Sequence, residues 1–440
     1  MDTRNILFSL KYFCYLSAYL LIAYCQLNAA VLAKHVAQSN IQTAFNNSAL
    51  ITNLAPTASA TLMTNSTLVL GAENTNQYLA KLKGKRIGLV VNQTSMLYKY
   101  DGITTPEKAL HLVDFLRNHN VNVVVMFAPE HGVRGNKGAG EHIDNGKDAE
   151  TRIPIQSFYG KNKTPPNSIM KNLDLIIFDI QDVGTRFYTY ISSMHYMMEA
   201  AAAHSIEFVV LDRPNPNGEF IDGPVLDLNF QSFVGMHPIP VLHGLTVGEL
   251  ALMIKGEKWI ENADKLQLEV VKMLHYDKSL VYKLPIAPSP NLPNYKAVRL
   301  YPSLCFFEAT AVSIGRGTHT AFQVTGHDQV RLGNFTFTPV PTPFAAPNPK
   351  LANTRLFGLD LQQSTKQGLD LSLFIKYSQA FKEQNIPFYT STNFMDKLAG
   401  TDKLRKAIDN GVSIEDIRQS WQADLIKYKK MTKPYLLYSQ

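Results

Sequence analysis

The feature that most constrains the fold is a repeated alternation of short apolar runs with amphipathic stretches in the middle of the chain. The apolar runs occupy residues 86–91, 121–127, 173–178 and 207–211. Stretches with helical periodicity lie between them, at residues 106–118 and 187–204. Continuous runs of Val, Ile and Leu bounded by helices indicate parallel strands buried on both faces. The sequence therefore predicts an α/β fold with a Rossmann-like parallel sheet.

Chain length and proline content predict a second, smaller domain. A single hydrophobic core stops growing at about 250–300 residues, and this chain has 440. Residues 284–293 are dense in proline, which disfavours the interior of both helices and strands. We therefore predict a Rossmann-like catalytic domain over residues 68–285. A smaller α+β domain over residues 286–440 is expected to complete the cleft.

The N-terminus has the pattern of an export signal. Arg4 and Lys11 precede an apolar run at residues 12–24, and two small residues follow at positions 29–30. A charged, an apolar and a small-residue region in this order are typical of secreted proteins. We therefore expect residues 1–30 to direct export to the periplasm or the extracellular space.

Two anchored alternatives stand beside simple cleavage of this signal. Cys25 is a candidate for lipidation, and the apolar run itself is a candidate for an uncleaved anchor. Residues 31–67 are rich in Ala, Asn, Ser and Thr without apolar periodicity, so we expect a flexible spacer there. Any membrane attachment is therefore expected at the N-terminus alone.

Charge and motif content argue against several other classes of protein. The formal net charge is +7, but the basic residues are scattered, so we expect no nucleic-acid partner. Residues 90–94 read Val-Val-Asn-Gln-Thr where a glycine-rich dinucleotide motif would follow the first strand, so no nicotinamide cofactor is predicted. His131, His142 and Asp144 match no strong metal-ligand spacing. The sequence predicts neither a cofactor nor a metal site.

Polar side chains follow every one of the predicted strands. The segments that follow them are Asn92-Gln93-Thr94, Pro129-Glu130-His131-Gly132, Asp179-Ile180-Gln181-Asp182 and Asp212-Arg213-Pro214-Asn215. Because the carboxyl ends of parallel strands meet at one edge of a sheet, we expect these groups to converge on one crevice. This convergence is more specific than any single motif, and it predicts a functional site at that edge.

Glu130 is the strongest catalytic candidate in this crevice. It follows a proline directly after a buried strand, and the turn after it is expected to aim its carboxylate into the crevice. His131 is interpreted either as a site residue or as a structural hydrogen-bond donor. Asp179 and Asp212 have an alternative role as helix caps or loop carboxylates bound to backbone amides.

Aromatic residues beside these carboxylates favour a sugar ligand. Phe187, Tyr188 and Tyr190 open a predicted helix next to Arg186. Tyrosines offer an apolar ring face together with a hydroxyl, which suits the two surfaces of a sugar ring. The alternatives are a core position for the aromatic rings and an ion pair between Arg186 and a neighbouring aspartate.

A glycine-flanked arginine stands out in the predicted second domain. The segment Gly315-Arg316-Gly317-Thr318 predicts a tight turn that carries one cation. Such a turn is suited to hold an anionic group of a ligand by charge-assisted hydrogen bonds. The alternative is a simple hairpin without a binding role.

With these motifs in place, the chain resembles the exo-lytic β-N-acetylmuramidases, a bacterial family, from about Gly84 to the C-terminus. The matching segments are Asn92-Gln-Thr94, Phe127-Ala-Pro-Glu-His-Gly132, Phe178-Asp-Ile-Gln-Asp-Val-Gly184, Arg186-Phe-Tyr-Thr-Tyr190, Leu211-Asp-Arg-Pro-Asn-Pro216, Gly223-Pro224, Pro240-Val-Leu-His-Gly244, Thr246-Val-Gly-Glu-Leu250, Pro288-Ser-Pro-Asn291 and Gly315-Arg-Gly-Thr318. One departure is Ile314, where members of the family commonly carry Glu.

The resemblance implies release of a terminal N-acetylmuramic acid from the non-reducing end of peptidoglycan fragments. It makes a peptidoglycan-derived saccharide the expected partner, Glu130 the leading catalytic residue and Arg316 a contact for the lactyl carboxylate. The predicted substrate-binding residues are Asn92, Gln93, His131, Gln181, Arg186, Tyr188, Tyr190, Asp212, Arg213, Asn215, His243, Asn291 and Arg316.

Glycoside hydrolysis normally uses two carboxyl groups, one protonated and one ionised. We expect Glu130 to act as the acid, and Asp182, Asp179 or Asp212 to supply the second charge. The departure at Ile314 keeps open a non-catalytic muropeptide-binding protein as an alternative. A hydrolase of another N-acetylated amino sugar is a further alternative, and the sequence leaves the oligomeric state open.

Overall fold

In the computed structural model, the described residues are 68–104, 106–130, 132–134, 145–158, 160, 163–343 and 345–439. All of them lie within one compact unit. The predicted export segment at residues 1–30, the spacer at residues 31–67 and His131 lie outside the described residues. Those expectations stay predictions.

The centre of the fold is a seven-stranded, mostly parallel sheet. The strands of the described residues are β1 (Ile87–Val91), β2 (Met96–Leu97), β3 (Leu110–His111), β4 (Val123–Ala128), β5 (Gly146–Lys147), β6 (Pro154–Ser157), β7 (Leu175–Asp179), β8 (Glu207–Leu211), β9 (Leu268–Val271), β10 (Val324–His327), β11 (Phe335–Phe337) and β12 (Leu356–Asp360). The order in the large sheet is β5-β6-β4-β1-β7-β8-β9. Only the β5–β6 pair is antiparallel. The predicted Rossmann-like α/β sheet is confirmed.

The central strands are apolar on both faces because helices cover both sides of the sheet. The helices of the described residues are α1 (Leu112–Asn118), α2 (Asn167–Met170), α3 (Tyr190–His204), α4 (Val247–Gly256), α5 (Tyr295–Leu304), α6 (Ser372–Glu383), α7 (Thr392–Ala399), α8 (Lys403–Asp409), α9 (Ile414–Ser420) and α10 (Gln422–Thr432). In β1, Leu89 packs in the hydrophobic cluster that contains α1, and Val90 packs in the opposite cluster with α3 and α4. Each fully buried side chain of this kind contributes about 1.5–3 kcal/mol.

The strand order creates a crevice between β1 and β7. The chain runs from β1 to β4 and β6 on one side, and then crosses to β7, β8 and β9 on the other. Ligands of open parallel sheets bind outside the carboxyl ends of the strands at such a switch point. The segments after β1, β4, β7 and β8 therefore meet at this edge.

Two details of the sheet differ from the prediction. The helix predicted from residue 106 begins at Leu112, because Leu110–His111 pairs with Met96–Leu97 and the His111 ring accepts a hydrogen bond from the amide of Val113. The edge strands β5 and β9, and the strand β6 next to β5, were not predicted. Pro154 opens β6 and half-buried residues make up most of β9, so neither has the continuous buried pattern of a central strand.

The C-terminal part contains a small antiparallel sheet, in the order β10-β12-β11, and helices α6 to α10. Strand β10 packs against α6, where the His327 ring lies edge-on to Phe381 at 4.8 Å. Helices α6 to α10 bury their apolar residues in the same continuous cluster as the β7–β8 side of the large sheet. The smaller α+β element is therefore present as expected, while the domain division at residues 285/286 stays a prediction. No helix within the described ranges is long and apolar enough to span a bilayer.

Candidate active site

A cavity of about 240 Å³ lies where the segment after β4, the start of α3 and the C-terminal part meet. Four of the predicted site residues line it: Glu130, Tyr188, Asn291 and Arg316. Aromatic rings make up much of its wall, and the sequence did not single out most of them. These rings belong to Phe187, Phe233, Tyr301, Phe322 and Phe394.

Glu130 enters this cavity from the end of β4. Its side chain is half-buried, and its Oε2 atom accepts a hydrogen bond of 2.9 Å from the Thr189 hydroxyl. The Tyr190 hydroxyl donates to the Glu130 backbone carbonyl over 3.2 Å. Thr189, the N-cap residue of α3, and Tyr190, its first residue, therefore fix both the carboxylate and the backbone of Glu130. Thr189 was not predicted, although it lies inside the Arg-Phe-Tyr-Thr-Tyr motif.

Tyr188 forms a rigid part of the cavity wall. Its hydroxyl donates to the Pro288 carbonyl over 2.8 Å, and its ring packs edge-on against Tyr190 at 5.0 Å and Tyr301 at 5.9 Å. Burial raises the pKa of Tyr188 well above its ordinary value, so the hydroxyl stays neutral. Gln93 also donates to the Pro288 carbonyl, at 3.2 Å. The two side chains anchor the proline-rich segment against the sheet edge.

Arg316 faces the cavity from the C-terminal part. Its Nε atom donates to Oε1 of Glu308 over 2.6 Å, and its guanidinium lies over the Phe322 ring at 5.1 Å. Gly315 and Gly317 have φ angles of 79° and 81°, in the left-handed region that favours glycine. A Cβ atom on Gly315 would lie 2.5 Å from Val324. The turn that presents Arg316 therefore requires its glycines.

Glu308 is a cavity residue that the sequence reasoning missed. It lies in the 3₁₀ turn Cys305–Ala309, directly after α5. The ammonium group of Lys350 holds this turn by donating to the carbonyls of Phe307, Glu308 and Thr310 over 2.7, 2.9 and 2.6 Å. The sequence signal that could have identified Glu308 is a single carboxylate inside an apolar run, shortly before the turn that carries Arg316.

The carboxylate beside Arg316 thus comes from Glu308 and not from position 314. Ile314 is buried in the hydrophobic cluster, and its carbonyl accepts a hydrogen bond from the amide of Phe322 over 2.8 Å. Ile314, in place of the usual Glu, was the reason for the non-catalytic alternative. Arg316 nevertheless has an acidic partner in Glu308.

The structure places Asp179 and Arg213 together, away from the cavity lining. Asp179 Oδ1 and Oδ2 accept from Arg213 Nε and Nη2 over 2.5 and 2.9 Å. The Asp179 side chain is 0% exposed and that of Arg213 is 2% exposed. This buried bidentate pair connects the ends of β7 and β8.

Asp212 occupies the capping position that was weighed as its alternative role. Its Oδ1 accepts from the amides of Arg213 and Gly248, and its Oδ2 accepts from the hydroxyls of Thr246 and Tyr438. Burial raises the pKa of this carboxyl to about 7. The four bonds join the end of β8 to the start of α4 and to the C-terminal segment.

Asp182 is buried and does not line the cavity. Its Oδ2 accepts from the Gly184 amide over 2.6 Å, and Oδ1 has no hydrogen-bond partner among the described residues. His243 Nε2 is 3.9 Å from Oδ2. Burial raises the pKa of Asp182 to about 7 and lowers that of His243 to about 3. Both groups therefore favour their neutral forms over much of the pH range.

Three further predicted residues hold the loops at the sheet edge. The Asn92 side-chain oxygen accepts from the Thr94 amide over 2.9 Å. The side-chain amide of Gln181 donates to the Pro214 carbonyl over 2.6 Å, and that of Asn215 donates to the Leu245 carbonyl over 2.8 Å. These three bonds hold the loops together, and none of the three residues lines the cavity.

Asn291 differs from these because it borders the cavity. Its Nδ2 donates to the Ala345 carbonyl over 2.6 Å, whereas its Oδ1 is buried and has no partner among the described residues. A buried amide oxygen without a partner is costly unless a ligand or water supplies a donor. This oxygen is therefore a candidate acceptor for a substrate group.

Arg186 is a fully buried connector between the two parts of the fold. Its guanidinium donates to the carbonyls of Pro224, Ile239 and Leu398 over 2.8, 2.7 and 3.0 Å. Burial lowers the pKa of Arg186 to about 9. The aspartate pairing weighed for Arg186 is not found among the described residues, and its bonds go to backbone carbonyls.

The three residues considered as metal ligands lie outside the described residues. They are His131, His142 and Asp144. Within the described part of the chain, no group of three or more His, Cys, Asp or Glu side chains is arranged to hold a metal ion.

Two solved structures from Bacteroides fragilis NCTC 9343, both of DUF1343 family proteins, are similar to this fold. Their TM-scores are 0.74 and 0.71, with sequence identities of 40% and 29%. Each covers 85% of this chain and 100% of the solved chain.

Sequence comparisons give the family. The profile described as "Exo-beta-N-acetylmuramidase NamZ, N-terminal" matches residues 87–296, and the corresponding C-terminal profile matches residues 299–438. The peptidoglycan beta-N-acetylmuramidase NamZ of Bacillus subtilis strain 168 is 39% identical over 388 residues, covering 82% of this chain and 89% of the relative. The chain therefore belongs to the exo-β-N-acetylmuramidase NamZ family.

Proposed function

We propose that this chain releases single N-acetylmuramic acid residues from the non-reducing end of peptidoglycan fragments, with Glu130 as the proton donor. The observation that carries the proposal is that Glu130 and Arg316 line one small cavity. The family membership and the activity for which the Bacillus relative is named support the same reaction.

Each wall of the cavity matches one part of this substrate. The terminal nitrogens of Arg316 make no hydrogen bond to the described residues, so they are open to the lactyl carboxylate. Tyr188 and the neighbouring rings offer an apolar surface to the sugar face. Glu130 then protonates the oxygen of the leaving sugar as the glycosidic bond breaks, as a general acid does.

The size of the cavity supports exo-action. Ligand pockets usually measure about 300–1,000 Å³, and this one measures about 240 Å³. A cavity of this size suits one terminal sugar better than an internal stretch of a glycan chain.

The proposal is tested with a defined glycan oligomer that has N-acetylmuramic acid at its non-reducing end. We expect free N-acetylmuramic acid as the first product, with shortening by one residue at a time in a mass-spectrometric time course. Early appearance of internal disaccharides would contradict exo-action. Cleavage of the matching chromogenic N-acetylglucosaminide at the same rate would contradict the role of the lactyl group.

We also propose that the protein acts outside the cytoplasm, as the N-terminal charge and apolar pattern suggests. Fractionation of cells that produce the full chain with a C-terminal tag tests this. Periplasmic or secreted protein that begins after residue 30 supports cleavage, and a membrane-bound form that depends on Cys25 supports lipidation. Full-length protein in the cytoplasmic fraction contradicts export.

A further inference from the structure

We propose that Glu308 is the second carboxyl group of the reaction, acting together with Glu130. This inference rests on the proposed function. Glycoside hydrolases of most kinds place two carboxyl groups on either side of the scissile bond. Among the described residues that line the cavity, Glu130 and Glu308 are the two carboxylates.

The aspartates expected to fill this role are committed to other contacts. Asp179 is locked in its bidentate pair with Arg213. All four hydrogen bonds of Asp212 come from groups of the protein, two of them at the start of α4. Asp182 is buried beside His243 and does not border the cavity.

Glu308 is held in a way that suits an ionised partner. Arg316 Nε bonds its Oε1, which sets a permanent positive charge beside the carboxylate. Oε2 has no hydrogen bond to the described residues, and the side chain is 20% exposed. Lys350 fixes the backbone of the same turn through three carbonyls. One oxygen is therefore positioned by the protein, and the other is open to the cavity.

The step balances in either of the two known geometries of glycoside hydrolysis. In both, the glycosidic C–O bond breaks as Glu130 gives its proton to the leaving oxygen. In the inverting form, water bonds to the anomeric carbon and its proton passes to Glu308. In the retaining form, Glu308 itself bonds to the anomeric carbon, and water later displaces it while Glu130 takes the proton from that water.

The nature of the leaving group separates the two carboxyl roles. A 4-nitrophenolate departs without protonation, whereas a sugar alkoxide needs an acid. We therefore expect Glu130→Gln to lose far more turnover with a muramic acid disaccharide than with the 4-nitrophenyl N-acetylmuraminide. Glu308→Gln is expected to lose kcat by at least about 100-fold with both substrates.

A role limited to orienting Arg316 predicts a different pattern. In that case Glu308→Gln raises KM for substrates that carry the lactyl group and leaves kcat unchanged, which overturns the proposal. Glu219→Gln is the matched control, because Glu219 pairs with Arg299 outside this cavity. We expect this control to keep the wild-type kcat with both substrates.

Chemical rescue distinguishes a loss of catalysis from a loss of folding. Glu308→Gly with added azide is expected to regain turnover of the aryl glycoside and to form a glycosyl azide, which only a folded active site can do. Failure of azide rescue in a variant that keeps the wild-type melting temperature overturns the assignment. If the wild type itself releases no N-acetylmuramic acid, the proposed function fails. If the wild type is active and Glu308→Gln keeps its kcat, this inference alone fails.

Discussion

Two buried or half-buried carboxylate–arginine pairs, one at the sheet edge and one in the cavity, differ in what they leave open. Asp179 and Arg213 use both carboxylate oxygens and are almost fully buried. Glu308 and Arg316 share one hydrogen bond, and their side chains are 20% and 29% exposed. The first pair has both carboxylate oxygens bonded and does not line the cavity, whereas the second offers a carboxylate oxygen and two guanidinium nitrogens to it. The position of a carboxylate after a strand therefore does not decide whether it takes part in function. What decides this is whether the carboxylate keeps unused hydrogen-bonding capacity inside a cavity.

The largest expected effect breaks the sheet-edge pair. Asp179→Ala leaves the Arg213 charge buried without a partner, which costs about 3–5 kcal/mol of the free energy of unfolding. Urea unfolding followed by circular dichroism measures the loss. The matched control is Asp174→Ala, which removes the exposed Asp174–Arg86 pair and is expected to cost about 0–1 kcal/mol. Equal losses in the two variants would contradict a structural role for Asp179.

The next effect concerns substrate binding in the cavity. Arg316→Ala removes charge-assisted bonds to the lactyl carboxylate, worth about 1.5–3 kcal/mol. We therefore expect KM for a muramic acid substrate to rise by roughly 10- to 150-fold, since 1.4 kcal/mol is a factor of ten. The KM for an analogue without the lactyl group serves as the control and is expected to change little. A similar rise for both substrates would argue against carboxylate recognition by Arg316.

A third effect tests the turn that presents this arginine. Gly315→Ala forces a side chain into a left-handed backbone conformation, which costs roughly 1–2 kcal/mol, and it also brings a Cβ atom against Val324. We expect a lower melting temperature together with a raised KM. Gly84→Ala has a similar φ of 77° but no neighbour within 4 Å, so it controls for backbone strain alone. A KM rise of equal size in both variants would contradict the local role of the turn.

The smallest effect on turnover is expected for a substitution of Asp182. Its main effect is expected on the pH dependence of the free energy of unfolding. Burial raises its folded-state pKa from 3.8 to about 7. Between these values the folded protein holds a proton that the unfolded chain has lost, so stability falls as pH rises through this range. Asp182→Asn removes this contribution and is expected to flatten the decline by up to about 1.4 kcal/mol per pH unit.

Thermal unfolding of wild type and Asp182→Asn at a series of pH values measures the flattening. Burial also raises the pKa of Asp212 to about 7. We therefore expect the Asp182→Asn variant to keep part of the decline in stability with rising pH. Parallel curves for the two proteins would contradict a buried, neutral Asp182. Loss of turnover comparable to that of a Glu130 variant would return Asp182 to the list of catalytic candidates.

The sheet was predictable because its signals are local. The runs that became β1, β4, β7 and β8 are short and apolar at nearly every position, which is typical of strands buried on both faces. Thr246 and Glu249 likewise begin α4 with a reciprocal cap that can be read from four residues. Strand β9 escaped prediction because its residues are mostly half-buried.

The site was predictable only in part because it depends on contacts between distant segments. Glu130, Tyr188, Asn291 and Arg316 were identified, and they meet in one cavity. Asp179 and Asp212 stand in equivalent positions after strands, but their partners Arg213, Thr246 and Tyr438 use their oxygens within the protein. No local sequence pattern shows which carboxylate keeps a free oxygen. Glu308 was not predicted for the same reason.

The central claim is that the cavity containing Glu130 carries out the hydrolysis. Its most direct test is kcat of wild type and Glu130→Gln for release of free N-acetylmuramic acid from a muramic acid–glucosamine disaccharide, with binding of the disaccharide measured by calorimetry. We predict release by the wild type, a loss of at least about 100-fold in the variant, and intact binding in both. Equal turnover by the two proteins would contradict the account.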